Sequence, residues 1–433
     1  MIARITTLLT ALLAALTIAV EAKMTVTVHD GRVGCVQWRN GDMAATTPVT
    51  MAGESDGLRL TFDLIAPDGE DESWMPFLRC RVRHTDADGL DDGLVESECL
   101  DGFNLAEIGY GEASEPGMTT VLYRHYSVKV PPAEVKAKLS GNYVLEVYES
   151  EKPDKVMITA PFAIEEGSVG IGGGVTSRTD SDWNGESQQL EIEVTNRGLD
   201  RRVALQDLRV ETVQNGDEPT RRRLPHPSQT AGNKATYAHL PELTYKGGNE
   251  YRRMETVSRK TPGMNVAEIV WDNSIYHEIL NPDTPRHGKA YSYDQTQGGE
   301  FTVREADEGK SVPSDTEADY TAVHFTLEAS GIRPPDIVMV DGALTGRRRD
   351  ADAEMRYDSE SDVWRKVMLL KQGAYDYRYL KKNDATGEIS GSAIEGDHHQ
   401  TQNVYTVWVY YRIPGERTDR LAGVTTIKAE ANR

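Results

Sequence analysis

The stretch "GLRLTFDLI", Gly57 to Ile65, alternates apolar with polar side chains over most of its length. Because successive side chains of a β-strand point to opposite faces, this pattern predicts a strand with one buried face. Further stretches of this kind, most of them bounded by Gly, Pro, Asp or Asn, follow before residue 165. They are "FLRCRVRHT" (Phe77 to Thr85), "TTVLYRHYSVKV" (Thr119 to Val130), "NYVLEVYES" (Asn142 to Ser150) and "KVMITAPFAI" (Lys155 to Ile164).

The chain between these stretches shows no sustained helical periodicity, which favours antiparallel sandwiches over a doubly wound parallel sheet. The glycine-rich stretch Gly167 to Asp180, interpreted as a flexible junction or a bulged entry strand, separates this group of strands from the next, and it lacks the helix and the Lys-Ser/Thr of a phosphate loop. We therefore predict an all-β protein of tandem immunoglobulin-like antiparallel β-sandwich domains. The predicted domains span residues 23–165, 166–312 and 313–433.

The charge balance disfavours nucleic acid and anionic membranes as partners. The 433 residues include 48 Lys and Arg against 69 Asp and Glu, a net charge of -21. A surface of this sign repels phosphate groups. The basic triplets Arg221–Arg223 and Arg347–Arg349 interrupt the acidic surface, and we expect them to be solvated loops.

The first 22 residues have the pattern of a secretory signal peptide. Arg4 supplies a positive start, Leu8 to Val20 an apolar segment, and Val20-Glu21-Ala22 a cleavage point, so the mature chain is expected to begin near Lys23. No Cys directly follows the apolar segment, so no lipid anchor is indicated, and no later run approaches the roughly 20 apolar residues of a membrane helix. We expect a soluble, exported protein.

Three cysteines occur, at Cys35, Cys80 and Cys99. In an oxidising compartment an odd number permits at most one internal disulfide, and Cys80 with Cys99, close in sequence, is the favoured pair. The alternative is that all three thiols are reduced and buried. No CxxC or HxxxH spacing indicates a zinc site.

The search for catalytic or ligand-binding patterns nominates no enzyme. Adjacent His398 and His399 would point to opposite faces of a strand, which makes joint metal ligation awkward. The acidic turn His84 to Gly93 lacks the glutamate and glycine register of an EF-hand, and weak calcium binding by a surface turn is the alternative that stays open. No GxSxG motif occurs, and no pair of carboxylates stands out. We predict no catalytic residue, no cofactor and no metal site.

Tyr375, Tyr377 and Tyr379 lie on one face of a predicted strand, because they are two residues apart. An exposed ladder of this kind would stack on sugar rings, whereas a buried one belongs to a sandwich core. The core interpretation is favoured because aromatic residues are good strand formers.

A set of stretches spread along nearly the whole mature chain resembles the blocks of one known family. They are "ECLDGFNLAEI" (Glu98 to Ile108), "LYRHYSVKVP" (Leu122 to Pro131), "KLSGNYVLEVYE" (Lys138 to Glu149), "YKGGNEYRRMET" (Tyr245 to Thr256), "LLKQGAYDYRYL" (Leu369 to Leu380), "EGDHHQTQNVYTVWVYYR" (Glu395 to Arg412) and "GERTDRLAG" (Gly415 to Gly423). In this order they resemble the plug protein of the type IX secretion system of the Bacteroidetes. Gly89 and Met254 replace aromatic residues of that pattern without changing the order of the blocks.

This resemblance implies a non-enzymatic periplasmic protein that docks on the large outer-membrane translocon barrel and closes its periplasmic opening. A wide water-filled pore leaks unless a body larger than the opening covers it, and stacked sandwiches supply that body. The association with the outer membrane would be peripheral, through protein contact.

The last predicted domain resembles the early-set β-sandwich domains that bind starch or glycogen. The resemblance rests on "DIVMVDGALTG" and on "MRYDSESDVWRKVMLLKQGAYDYRYLK". The turn Gly342 to Thr345 lacks the tryptophan that stacks on sugar in those domains, and Trp364 falls later, on a predicted core strand. The resemblance therefore implies the early-set fold more strongly than glycan binding.

The block Tyr245 to Ser258 places a turn at Gly247-Gly248 directly before a charged strand. Our hypothesis is that Arg252, Arg253 and Glu255 fix a contact between domains or with the barrel. The alternative is a solvated strand face. Two other functions are open from sequence: a periplasmic or surface glycan-binding protein that uses the tyrosine row, and a hydrolase with sandwich accessory domains.

Overall fold

The computed structural model describes residues 24–41, 43–45, 47–54, 57–117, 119–306 and 315–429. The α-helices within these residues are short, α1 (Glu96–Cys99) and α2 (Ser392–Glu395), and neither has the length that crossing a membrane requires. Strands form nearly all of the remaining regular structure, which confirms the all-β prediction. The predicted signal peptide, residues 1–22, lies outside the described residues.

The first part of the chain contains thirteen strands. They are β1 (Thr27–Val28), β2 (Val33–Asn40), β3 (Met43–Ala44), β4 (Val49–Met51), β5 (Leu58–Ile65), β6 (Leu78–Thr85), β7 (Leu100–Asp101), β8 (Ala106–Ile108), β9 (Ala113–Ser114), β10 (Tyr123–Lys129), β11 (Lys136–Ala137), β12 (Gly141–Glu149) and β13 (Val156–Glu165).

The strands of the middle of the chain are shorter on average and are separated by longer loops. They are β14 (Val169–Thr176), β15 (Ser187–Asn196), β16 (Arg209–Gln214), β17 (Arg222–Arg223), β18 (Gln229–Ala231), β19 (Lys234–Tyr237), β20 (Thr244–Lys246), β21 (Arg252–Glu255), β22 (Val266–Trp271), β23 (Tyr276–Leu280) and β24 (Phe301–Val303).

The last part of the chain contains several long strands. They are β25 (Tyr320–Leu327), β26 (Ile337–Asp341), β27 (Arg356–Asp358), β28 (Val363–Lys371), β29 (Gly373–Lys382), β30 (Ile389–Ser390), β31 (Val404–Tyr411) and β32 (Arg420–Lys428).

The first part of the chain folds into one sandwich. One sheet has the order β1-β13-β12-β6-β8, with β4 beside β13, and the other has the order β3-β2-β5-β10-β9. The alternating side chains of β5 behave as predicted, since Leu58, Leu60, Phe62 and Leu64 are all buried in the core between the sheets. Most strand pairs are antiparallel, whereas β4 with β13 and β23 with β25 are parallel.

Two further hydrophobic cores are built from strands that lie far apart in sequence. The sheet β14-β15-β19-β18 shares a core with the sheet β17-β16-β31-β32. The sheet β21-β29-β24, with β26 and β30 also on β29, shares a core with the sheet β22-β23-β25-β28-β27. Strands on both sides of the predicted 312/313 boundary therefore pair with each other, β16 with β31 and β21 with β29. The domain boundaries themselves stay predictions.

A smaller apolar cluster joins the first sandwich to the sheet that contains β31 and β32. Its buried members are Ala87, Ala163, Val213, Trp408, Tyr410 and Leu421. The Tyr410 hydroxyl also donates to Asn142 Oδ1 at 3.1 Å. The end of the chain thus packs against the first sandwich and also completes the second core.

The expectation that both basic triplets are solvated loops is wrong for three of their arginines. The side chains of Arg221, Arg347 and Arg349 are only 8%, 12% and 15% exposed. They form ion pairs with Glu218 at 2.6 Å, Glu300 at 2.9 Å and Asp217 at 2.6 Å, respectively. Two of these carboxylates come from distant parts of the chain, so a run of charge by itself did not predict this burial.

All three cysteines are free in this structure. Cys80 and Cys99 are buried, and Cys35 is half-buried. The favoured Cys80–Cys99 disulfide is therefore not formed, and the alternative with reduced thiols describes the structure better. Burial raises the pKa of the Cys80 thiol to about 12.

Candidate partner-binding site

The structure brings the two sets of predicted site residues together. Strand β21 pairs with β29 in an antiparallel register that sets Arg252 opposite Tyr377 and Arg253 opposite Asp376. Because side chains alternate along both strands, one face of this pair carries the tyrosines and the other carries Arg253 and Asp376. The two faces have different environments.

The tyrosine face is part of the hydrophobic core. Tyr375, Tyr377 and Tyr379 are 3%, 0% and 0% exposed, and burial raises the pKa of each hydroxyl well above its ordinary value. The hydroxyls of Tyr377 and Tyr379 both donate to Asp283 Oδ2, at 2.7 and 2.9 Å. No ring face is open to a sugar, so the glycan-stacking interpretation is corrected: the opposing sheet covers this row, as the core interpretation predicted.

Arg252 lies on the same side of β21 as the core, where its side chain is 9% exposed. Its guanidinium donates to Asp283 Oδ1 at 2.7 Å and to Glu395 Oε1 at 3.1 Å, and it lies over the ring of Tyr379. Although burial opposes the effect, Arg252 and Arg286 hold the pKa of Glu395 below its ordinary value. Arg252 therefore makes contacts inside the chain, tying β21 to the loop after β23 and to α2.

Arg253 and Glu255 lie on the opposite, accessible face. They border a groove of about 380 Å³, called here the β21 groove, whose lining also includes Gln297, Thr302 and Asp376. The side chain of Arg253 is 28% exposed and donates to the exposed Asp294 at 3.0 Å. This groove is where the hypothesis of a partner contact finds accessible charged residues.

Asp376, which the sequence analysis did not single out, forms the floor of the β21 groove. It is buried, its Oδ2 accepts the backbone N–H groups of Gln297 and Gly299, and its Oδ1 has no hydrogen-bond partner among the described residues. Burial raises the pKa of this carboxyl to about 6. The position of Asp376 between alternating tyrosines in "YDYRY" was the available signal, because the residue between two core residues of a strand must face the other way.

The histidines and the acidic turn that the sequence analysis considered make hydrogen bonds within the chain. His399 Nδ1 lies 2.8 Å from the Gly185 carbonyl oxygen, and His84 Nδ1 lies 2.6 Å from Asp92 Oδ2. In the acidic turn, Asp86 Oδ1 accepts the backbone N–H groups of Asp88 and Leu90. Across the residues that the structure describes, no cluster of three or more His, Cys, Asp or Glu is arranged to hold a metal ion.

Part of this chain matches a known protein family, and the whole fold has a similar solved structure. Residues 33–166 match the family model described as the type 9 secretion system plug protein 1st domain. The crystal structure of a hypothetical protein from Parabacteroides merdae is similar at 32% identity and a TM-score of 0.86, covering 94% of this chain and 99% of that chain. The crystal structure of dimeric latent PorU from Porphyromonas gingivalis aligns at 10% identity and a TM-score of only 0.13, covering 95% of this chain and 34% of that chain. No curated protein matches.

The paired sheets define the class of this molecule: it is an all-β protein with several hydrophobic cores and an accessible groove beside β21. The chain belongs to the type IX secretion system plug family. This family has a plug role in type IX secretion and is not an enzyme family.

Proposed function

We propose that this protein is a non-enzymatic periplasmic plug that docks on the outer-membrane translocon barrel of the type IX secretion system and closes its periplasmic opening. The family match over residues 33–166, together with the similarity to the Parabacteroides merdae protein over 94% of the chain, carries the proposal. The protein works at the inner side of the outer membrane, held there through contact with the barrel.

The way the sheets interlock supports a role as a stopper. Strand β31 returns from the end of the chain to pair with β16 and pairs with β32 on its other side, and β29 pairs with β21. The parts of the chain that share these sheets cannot separate without breaking backbone ladders, each rung of which contributes about 0.5–1.5 kcal/mol. A body held in this way keeps its shape when a partner or a pressure difference acts on it.

The β21 groove is the proposed contact with the barrel. Stable protein interfaces bury about 1,000 Å² or more, and charged residues at their rim determine partner choice and association rate. Arg253 and Glu255 supply charges of both signs at the edge of the groove. Arg252 is excluded from this role because its side chain is already enclosed by Asp283 and Glu395.

A pull-down tests two points: that the protein docks on the barrel, and that the β21 groove makes the contact. The tagged mature chain is incubated with outer-membrane extract of a bacterium that carries this secretion system, and the wild-type chain is expected to recover a barrel of very high mass. Arg253→Glu with Glu255→Arg should reduce recovery about tenfold, because reversed rim charges meet like charges on the partner.

Arg365→Glu is the matched control for this experiment. Like Arg253, Arg365 is a strand arginine next to an aspartate, Asp358 at 3.3 Å, but it is exposed and lies on a different sheet. This variant should recover the barrel as the wild type does. If the wild-type chain recovers no barrel, docking is rejected; if the reversed pair recovers it fully, only the assignment of the groove is rejected.

Closure of the pore has its own readout. Cells that lack the protein should admit a large hydrophilic fluorescent probe that intact cells exclude, and the wild-type gene should restore exclusion. Unchanged exclusion in the deletion strain contradicts the closing function even if docking is observed.

A further inference from the structure

A cavity of about 400 Å³ opens between the first sandwich and the last part of the chain. Its walls come from the edge strand β1, from β2, from the turn Ala343–Thr345, and from β28 between Lys366 and Lys371. This cavity is distinct from the β21 groove, although Tyr375 lines both. Its volume falls in the range of about 300–1,000 Å³ that small-molecule sites occupy.

Much of the cavity wall is apolar. Trp38, 6% exposed, and the buried Phe301 contribute to it from two different cores. Val36 from the first sandwich and Leu344 and Met368 from the third core also line it and are only partly buried. These side chains keep accessible apolar surface because the sheets do not close over them, so an apolar occupant would be favoured by about 25 cal/mol for each Å² it covers.

Among the described residues, one cation of the cavity wall has no ion-pair partner. Arg347 is paired with Glu300 at 2.9 Å, and Arg348 with Asp352 at 3.0 Å. Lys371 is paired with Asp63 at 2.7 Å. Lys366, half-buried on the wall, has no ion-pair partner in the part of the chain that the structure describes.

We propose that this cavity binds a small amphipathic anion with a single carboxylate and an unbranched apolar tail, of the fatty-acid class. The tail lies along Val36, Leu344 and Met368, and the carboxylate pairs with Lys366. Because the walls belong to parts of the chain far apart in sequence, the bound anion holds the first sandwich against the third core. This site is independent of the docking and closing functions proposed above.

An extended apolar peptide is the other occupant that an open sheet edge admits. The outer edge of β2 is partly occupied already, because the Trp38 carbonyl accepts the N–H of Ala45 at 2.8 Å. This observation favours the fatty-acid class.

The test is isothermal titration calorimetry of the full mature chain with sodium decanoate. Wild type should bind one decanoate, and decanol, which has the tail without the charge, should bind at least threefold more weakly. Lys366→Gln should weaken decanoate binding about three- to tenfold, as expected for loss of one partly exposed charge contact. Lys382→Gln, which changes a half-buried strand lysine away from the cavity, should leave the affinity unchanged.

A cavity-filling variant provides a second test of binding in this cavity. Val36→Phe should abolish binding while the unfolding temperature shows that the chain is folded; if this variant does not fold, Lys366→Gln and Lys382→Gln decide. The proposal is overturned if decanoate gives no saturable binding, if Lys366→Gln binds as tightly as wild type, or if an extended apolar tetrapeptide binds and decanoate does not. None of these outcomes bears on recovery of the barrel.

Discussion

Lys371 Nζ donates to Asp63 Oδ2 across 2.7 Å, and both side chains are completely buried. The two residues lie on β28 and β5, so this ion pair joins the third core to the first sandwich. Asp63 also accepts from the Tyr320 hydroxyl at 2.7 Å and lies 2.7 Å from His125 Nδ1. Desolvating these charges is costly, and the pair persists because the hydrogen-bonding positions of the carboxylate are filled.

Removal of Lys371 alone should strongly destabilise the folded protein. We expect Lys371→Met to lower the free energy of unfolding by about 3–5 kcal/mol, because the buried Asp63 carboxylate loses its counter-charge. Denaturant unfolding of the full chain measures the change. The double variant Asp63→Asn with Lys371→Met should regain most of this loss, since no buried charge is left; a double variant as unstable as the single one would contradict this explanation.

Asp376→Asn should stabilise the protein at neutral pH. The folded-state pKa of Asp376 is raised from 3.8 to about 6, so its favourable contribution is present below pH 3.8 and is lost as the pH rises through about 6. An asparagine stays neutral and keeps an acceptor for the N–H groups of Gln297 and Gly299. The expected gain at pH 7.5 is about 1–2 kcal/mol and should vanish near pH 4, as judged from unfolding at both pH values.

Asp336→Asn is the control for the Asp376 prediction. Lys381, at 2.8 Å, lowers the pKa of the half-buried Asp336 carboxyl, so its pKa shift has the opposite sign to that of Asp376. This substitution should give no gain at pH 7.5. Equal gains for both variants would show that a general reduction of negative charge, rather than burial of Asp376, is responsible.

Asp217 should make the protein sensitive to acid. It binds Arg349 at 2.6 Å and Arg378 at 2.8 Å, and although burial opposes the effect, these arginines lower its pKa. Its stabilising contribution is therefore complete above pH 3.8 and is lost as the pH falls through the lowered folded-state pKa. Asp217→Asn should cost about 3–5 kcal/mol at pH 7, because two largely buried arginines lose their counter-charge.

The pH dependence of stability distinguishes the effect of the Asp217 charge from the effect of its packing. The difference in unfolding free energy between wild type and Asp217→Asn should shrink as the pH is lowered below 4. A difference that is constant with pH would mean that the shape of the side chain matters and its charge does not.

The thiols of Cys35, Cys80 and Cys99 should all be titratable after unfolding. Their free state predicts three equivalents with a thiol reagent in denaturant without reductant, whereas a Cys80–Cys99 disulfide leaves one. In the native protein Cys80 should react slowly at pH 8, because burial raises its pKa to about 12 and the thiolate is the reactive form. Rapid native labelling of Cys80 would falsify its burial.

The candidate site was only partly accessible to sequence analysis. The alternation of "YDYRY" correctly placed Tyr375, Tyr377 and Tyr379 on one face, and burial of that face follows from the opposing sheet. The strand around Arg252 and Arg253 was also predicted. That Arg252 faces the interior while Arg253 borders a groove depends on the carboxylates of Asp283 and Glu395, which come from other elements.

The sequence by itself determined the local character of the chain: strands with one apolar face, as in "GLRLTFDLI", and the ordered blocks of the plug family. Only the tertiary structure decided which strands meet, so that residues near 210 pair with residues near 410 and Arg221, Arg347 and Arg349 are enclosed by carboxylates. The physical reason is the sequence separation over which each feature is determined. Side-chain alternation is fixed by the backbone of each strand, whereas the pairing of sheets and the burial of charge depend on shape and counter-charge supplied by distant segments.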